Sequence, residues 1–141
     1  MNHLVILDPR AGELEKILSG VKTMLVKEVD PARTGACPVS PGDSLYFLRN
    51  KDKGVMRSKA TVVRVLFITN NSDENLSHTL KEMQPRLQLT EDQYNYWSGK
   101  EQVMLVEFNC AHKIDVIQVA PDMIADRSDW IAFEAFSLIM E

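Results

Sequence analysis

Ile17-Leu18-Ser19-Gly20-Val21-Lys22-Thr23, followed about twenty residues later by Pro41-Gly42-Asp43, is the part of this chain whose reading decides the fold. Leu14, Ile17 and Leu18 fall at i, i+3 and i+4, so residues 12–19 read as an amphipathic helix. Gly20 stands just past it, where a left-handed residue closes a helix. A strand is expected over 23–29, which leaves Lys22 at the corner, able to reach into a cleft between helix and sheet. Pro41-Gly42-Asp43 reads as a turn that opens the next strand, 44–48.

Working outward, Leu4 to Leu7 is a short apolar strand ahead of the helix. Pro31, Gly35, Pro38, Pro41 and Gly42 mark 30–42 as a loop. Residues 49–54, Arg-Asn-Lys-Asp-Lys-Gly, form a polar hairpin tip, and the β-branched run 55–68 reads as one long, bent strand. Helices are expected over 74–83, ending before Pro85, and over 91–97, capped by Thr90 and ended by Gly99. Strands follow at 102–109 and 114–119, then a helical turn near Met123. Residues 130–140 read as either strand or helix. Hairpins dominate and no βαβαβ rhythm or internal repeat is present. The expectation is one α+β domain over 1–141, a small mixed or antiparallel β-barrel decorated by two to three helices.

The totals agree with a globular domain: 141 residues, 45% hydrophobic and 26% charged. No apolar run approaches the ~18 residues that span a membrane. Residues 1–8 lack the basic start of a secretion signal, so a cytoplasmic protein without membrane contact is expected. The two cysteines, Cys37 and Cys110, form no CxxC pair and read as a loop thiol and a strand-end thiol. His3, His78 and His112 show no ligand spacing, and neither do Asp122, Asp126 and Asp129, so no metal and no cofactor is expected. The phosphate-binding, dinucleotide-binding, nucleophile-elbow and zinc-protease motifs are all missing.

The net charge of −4 hides an asymmetry. Residues 22–64 carry nine basic and four acidic side chains, whereas 65–141 carry five basic and thirteen acidic. The basic segment can collect phosphates, or it can be a solvated hairpin with lysines on its edges. The acidic half can meet a basic protein partner, which makes a protein-interaction module a further alternative.

Lys22 can bind a phosphate or carboxylate as a point charge, act as a base if buried, or simply complement the end of the helix before it. Thr23 beside it offers a hydroxyl. Lys27 lies five residues past Lys22, an odd spacing that puts the two on opposite faces of a strand. Arg49, Lys51, Lys53, Arg57 and Lys59 surround the hairpin tip and could track a nucleic-acid backbone. Tyr94, Tyr96 and Trp97 can stack on an unpaired base or pack onto a sheet. Glu107 alternates with Val106 and Phe108 and so points away from the face those two share, to solvent or to a cleft.

The helix ending in Gly20-Val21-Lys22-Thr23, with cationic Lys27 after it, resembles the signature of the activating-signal-cointegrator homology (ASCH) domains of the PUA-like superfamily. So do Pro41-Gly42-Asp43, the strand through Ala60-Thr61-Val62-Val63-Arg64-Val65, the run Leu89-Thr90-Glu91-Asp92-Gln93-Tyr94, then Tyr96-Trp97, Gly99-Lys100 and Met104-Leu105-Val106-Glu107-Phe108. The likeness covers most of 4–119. Where the family pattern has glutamate and arginine, this chain has Leu25 and Lys27.

The resemblance implies a PUA-like β-barrel with a cleft at the Gly-x-Lys-Thr corner and an RNA- or nucleotide-binding role. Lys22 and Thr23 would contact the ligand, Lys27, Arg49, Lys51, Lys53 and Arg57 would add charge, and Tyr96 or Trp97 would stack on a base. It also implies an alternative, since some small relatives resemble amidohydrolases acting on acylated cytidine. Lys22 matches the lysine of those enzymes, their threonine falls at Leu25, and Glu82 is the nearest candidate carboxylate beside Lys22 and Thr23. Whether the chain is an enzyme is left open by the sequence.

Overall fold

The computed structural model describes residues 1–7, 11–28, 39–48, 55–69, 76–119 and 130–133, with the backbone alone at Arg57 and Ala132. In chain order the elements are β1 (Asn2–Ile6), α1 (Glu13–Leu18), β2 (Met24–Glu28), β3 (Ser44–Leu48), β4 (Val55–Thr69), α2 (Leu76–Glu82), α3 (Gln84–Leu87), α4 (Glu91–Ser98), β5 (Gln102–Gln118) and β6 (Trp130–Phe133). The strands form one mixed six-stranded sheet in the order β2-β5-β4-β3-β1-β6. The pair β1–β3 is parallel, and the other neighbouring pairs are antiparallel.

Local sequence explains the turns. After α1, Gly20 adopts φ 83°, its N–H donates to the Ile17 carbonyl at 3.1 Å and that of Val21 to the Lys16 carbonyl at 3.0 Å. This is a Schellman closure, and it reverses the chain into β2. Ahead of β3, Gly42 at φ 93° with Pro41 before it makes a type II turn, closed by Asp43 N–H on the Ser40 carbonyl at 3.1 Å. Thr90 caps α4 through a reciprocal capping box with Gln93.

Two expectations are corrected. The strands expected at 102–109 and 114–119 are one, β5, which runs through Cys110 at φ 56° and stays paired to β4 across three register shifts. The shifts bend both strands without ending either. The helix expected to end before Pro85 does so, at Glu82, and Pro85 then sits in the first turn of a short helix that was not expected, α3, where its missing N–H has no partner to lose. Among the described residues there are therefore four helical segments, against two to three expected. Residues 130–133 resolve as a strand. The hairpin tip at 49–54, most of the proline-rich loop, Cys37 and the turn near Met123 lie outside the described residues.

The sheet separates two sets of apolar side chains. On one face, Val5, Leu25, Leu45, Phe47, Ala60, Val62, Val106 and Phe108 pack with Leu14 and Ile17 of α1. On the other, Met24, Val103 and Leu105 pack with Leu76, Leu80, Leu87 and Leu89 from the α2–α4 segment. The ammonium of Lys27, on edge strand β2, lies 5.8 Å from the ring centre of Trp130, on the opposite edge strand β6. The sheet therefore curls until its edges approach, with the face that carries Leu25 on the inside. Among the described residues β2 and β6 share no ladder, so the sheet shown is a curled one with two edges.

Replacing Gly20 by Ala would force a side chain into the left-handed region, which costs roughly 1–2 kcal/mol. No atom lies within 4 Å of the added Cβ, so the cost would be conformational alone. Thermal unfolding of Gly20→Ala is expected about 3–8 °C below wild type, with Gly20→Asn falling less.

Candidate functional site

The Schellman turn exposes Val21 and drives Lys22 inward, leaving Lys22 only 1% exposed. Its ammonium donates to the Leu87 carbonyl at the end of α3 and lies 3.8 Å from Oε1 of Glu13 in α1. Glu13 is itself buried and accepts from Gln93 Nε2 of α4 at 3.1 Å. Neighbouring α3 carbonyls are met in the same way. Thr23 N–H donates to the Arg86 carbonyl at 2.9 Å, and Lys16 Nζ to the Gln88 carbonyl at 3.2 Å. The orphan carbonyls at the end of α3 are thus satisfied by two lysines and the head of β2. Burial pulls the Lys22 pKa down to about 8, with Glu13 opposing the fall and Lys16 adding to it.

Alternation then sorts the following side chains. Met24 packs toward the helices and Leu25 into the concave core. Thr23 pairs with Phe108 through Phe108 N–H on its carbonyl at 3.0 Å, which sets its side chain on the concave side with Leu25 and Lys27. Lys22 and Thr23 are adjacent in sequence but face opposite sides of the sheet.

Facing Lys27 across the seam, Trp130 is fixed by a buried relay. Its indole N–H donates to Nδ1 of His3 at 3.1 Å, and Nε2 of His3 lies 2.9 Å from Oδ2 of Asp43. Nδ1 accepts, so Nε2 carries the proton and donates to Asp43, and the ring is neutral. Burial lowers the His3 pKa against the pull of Asp43. Burial would raise the Asp43 pKa, but the bonds from His3 and from Ser40 N–H outweigh it and lower it.

No family profile matches the sequence, and neither does any curated protein. Among solved structures, ASCH from Zymomonas mobilis superimposes with a TM-score of 0.66 at 13% identity, covering 99% of this chain and 96% of that one. Its Y47F and S128A mutant proteins each give 0.68, at 13% and 14% identity, and cover 97% and 98% of this chain and 93% and 96% of theirs. The fold is that of an ASCH protein.

On this ASCH fold the residues singled out in the sequence fall in three places. Lys22 is buried at the corner, and Thr23 and Lys27 lie on the concave face beside it. Trp97 packs into the helix-side core, while Tyr96 is 55% exposed on the outer surface with Lys100 Nζ 4.6 Å from its ring. Glu82 is exposed in α2 and paired with His78 at 3.0 Å. Arg57 is on β4, with its side chain outside the described residues, as are Arg49, Lys51 and Lys53.

The partners of Lys22 and of Glu107 were not foreseen, although the sequence did turn Glu107 away from the face of Val106 and Phe108. Glu13 is the carboxylate that meets Lys22, and the only hint was an acidic residue in the first turn of a helix whose opposite end carries the lysine. Glu107 points to the helix side, where Arg64 and Arg86 hold it at 3.4 and 3.3 Å.

Lys22 has a consequence for stability. Unfolding returns its pKa from about 8 to the ordinary 10.5. Between those values the unfolded chain binds more protons, so the folded state gains stability as pH rises, while below about 8 the charge is buried in full. From pH 7.5 to 9.5 the unfolding free energy of wild type should therefore rise, relative to Lys22→Met, by on the order of 2 kcal/mol. Urea titrations at the two pH values measure it, and parallel curves would contradict the buried charge.

Proposed function

We propose that this protein is an RNA- or nucleotide-binding module, with its ligand in the cleft that opens from the Gly-x-Lys-Thr corner along the concave face of β2. The observation that carries this reading is the placement of Thr23 and Lys27 on that face, with the Lys27 ammonium 5.8 Å from the Trp130 ring across the seam. A cation and an aromatic plane at one opening suit a phosphate and a base, and Thr23, four residues along the same face, would offer its hydroxyl further in. In this reading Lys22 acts from behind the strand. Its charge adds to the field of the cleft, and its bond to Leu87 fixes the strand that carries Thr23 and Lys27.

Arg49, Lys51 and Lys53 of the segment between β3 and β4, with Arg57 of β4, would add positive charge as a track for the backbone. Tyr96, next to Lys100, offers a second place for a base on the outer surface.

An amidohydrolase finds support in one feature, the low pKa of Lys22 beside Glu13. Against it, Leu25 occupies the position of the family's threonine and is packed in the core, and Glu82 is paired with His78. An acylated cytidine is expected to survive incubation with the wild-type protein. Its deacylation, abolished by Lys22→Ala, would reinstate the enzyme.

Anisotropy of fluorescein-labelled hexauridylate at several salt concentrations tests the module. Wild type should bind with a salt-dependent affinity. Lys27→Met should flatten the slope of log K against log salt by about 0.7, one phosphate on a single strand. The triple change Arg49→Ala, Lys51→Ala, Lys53→Ala should flatten it by up to about 2. Slopes equal to wild type in both variants would remove the track and the cleft from the proposal.

A further inference from the structure

Three neighbouring strands place Lys27, Met104 and Phe67 directly opposite one another in register, on β2, β5 and β4. Opposed residues share a face, and Met104 belongs to the concave core, so Phe67 and Lys27 lie on the concave side as well. One row deeper the same alignment gives Leu25, Val106 and Val65, all packed into that core. The Lys27–Phe67 row is where the core ends and the mouth begins. Met104 is 5% exposed and forms its floor, while Phe67 is 64% exposed.

An aromatic ring left that open on the inner face of a curled sheet is a feature that folding alone does not call for. Burying a phenylalanine stabilises a fold, and this one is left largely in water. Two strand spacings separate it from Lys27, about 10 Å of backbone. Trp130 stands on the far side of Lys27, its indole oriented by His3 and Asp43. The mouth therefore carries an open ring at one end, an ammonium next to it and a fixed indole beyond.

We infer that this mouth is a subsite for a single unpaired nucleotide, whose base stacks on Phe67 while its phosphate lies against Lys27 beside Trp130. The inference rests on the RNA-binding reading above and names the contact that distinguishes a base from a bare phosphate chain. Stacking on an aromatic side chain is worth about 1–3 kcal/mol per base and tolerates any base, so recognition here would be of an unpaired base rather than of a sequence. A duplex would not serve, because its bases are stacked on each other.

The test uses hexaadenylate RNA and an abasic hexamer with the same phosphates, each titrated against wild type, Phe67→Ala, Phe67→Trp and Lys27→Met. Because Phe67 is exposed, its variants should unfold like wild type, which thermal melts check. Phe67→Ala is expected to weaken hexaadenylate binding about 5- to 100-fold with an unchanged salt slope, and Phe67→Trp to restore it. The abasic hexamer should bind wild type and Phe67→Ala equally. Lys27→Met should weaken both ligands and flatten the slope.

Hexaadenylate binding that is equal in wild type and Phe67→Ala, with Lys27→Met still flattening the slope, would overturn the subsite and leave the module standing. Absence of all binding by wild type would overturn both. A change in sedimentation on Phe67→Ala without a change in RNA affinity would reassign the ring to a contact between protein copies and overturn the subsite.

Discussion

A lysine ammonium taken out of water must be given partners, and meeting that demand at Lys22 arranges the elements around the end of β2. The cation needs a carbonyl and a counter-charge, and it finds them in α3 and α1. Glu13 needs a donor besides Lys22, which brings α4 in through Gln93. The last carbonyls of α3, at the negative end of a four-residue helix, need donors in turn and receive them from Thr23 N–H, Lys22 and Lys16. Removing the lysine would leave a buried carbonyl and a buried carboxylate each short of a partner, costing more than the lysine's own desolvation suggests.

The opposite edge of the sheet is held by a second buried polar group. His3 is fully enclosed, and it joins the turn before β3, through Asp43, to Trp130 at the start of β6. Among the described residues each edge strand is paired on one side only, and buried polar side chains add to its anchoring. Those attachments set the width of the seam between β2 and β6, and Lys27 and Trp130 face each other across it. The geometry of the mouth is a by-product of how the two edges are anchored.

The helix and its glycine closure were legible because their causes are local: apolar residues at i, i+3 and i+4, then a residue that tolerates positive φ. The corner position of Lys22 followed from them, but its burial did not, because the carbonyl and carboxylate that receive it come from α3 and α1. The capping box at Thr90 and Gln93, local as well, was legible in part. The odd spacing of Lys22 and Lys27 correctly placed them on opposite faces, as Met24 and Leu25 show by packing to different cores. Contacts that depend on topology were not legible. His3 and Asp43 are forty residues apart in sequence, and His3 and Trp130 one hundred and twenty-seven. Residues 110–113, Cys-Ala-His-Lys, show no strand pattern of their own, yet they remain strand because β4 continues to pair with them through bulges. Phe67 passed as one more apolar residue of a β-branched run, and only the register with Met104 and Lys27 sets it apart.

Leu25 is the departure from the ASCH pattern with the clearest physical consequence. A glutamate there would stand on the concave face two residues from Lys27, about 7 Å along the strand. It would oppose the lysine's charge at the mouth, and it would bring a carboxylate into a cluster made of Val106, Phe108 and Leu45. Leucine instead completes that cluster and withdraws one negative charge from the cleft. Glu13 is engaged with Lys22, and Glu107 is held by Arg64 and Arg86. What Leu25 leaves at the mouth is the Lys27 ammonium against the Trp130 ring, a cation next to an aromatic plane on a face otherwise closed by apolar packing.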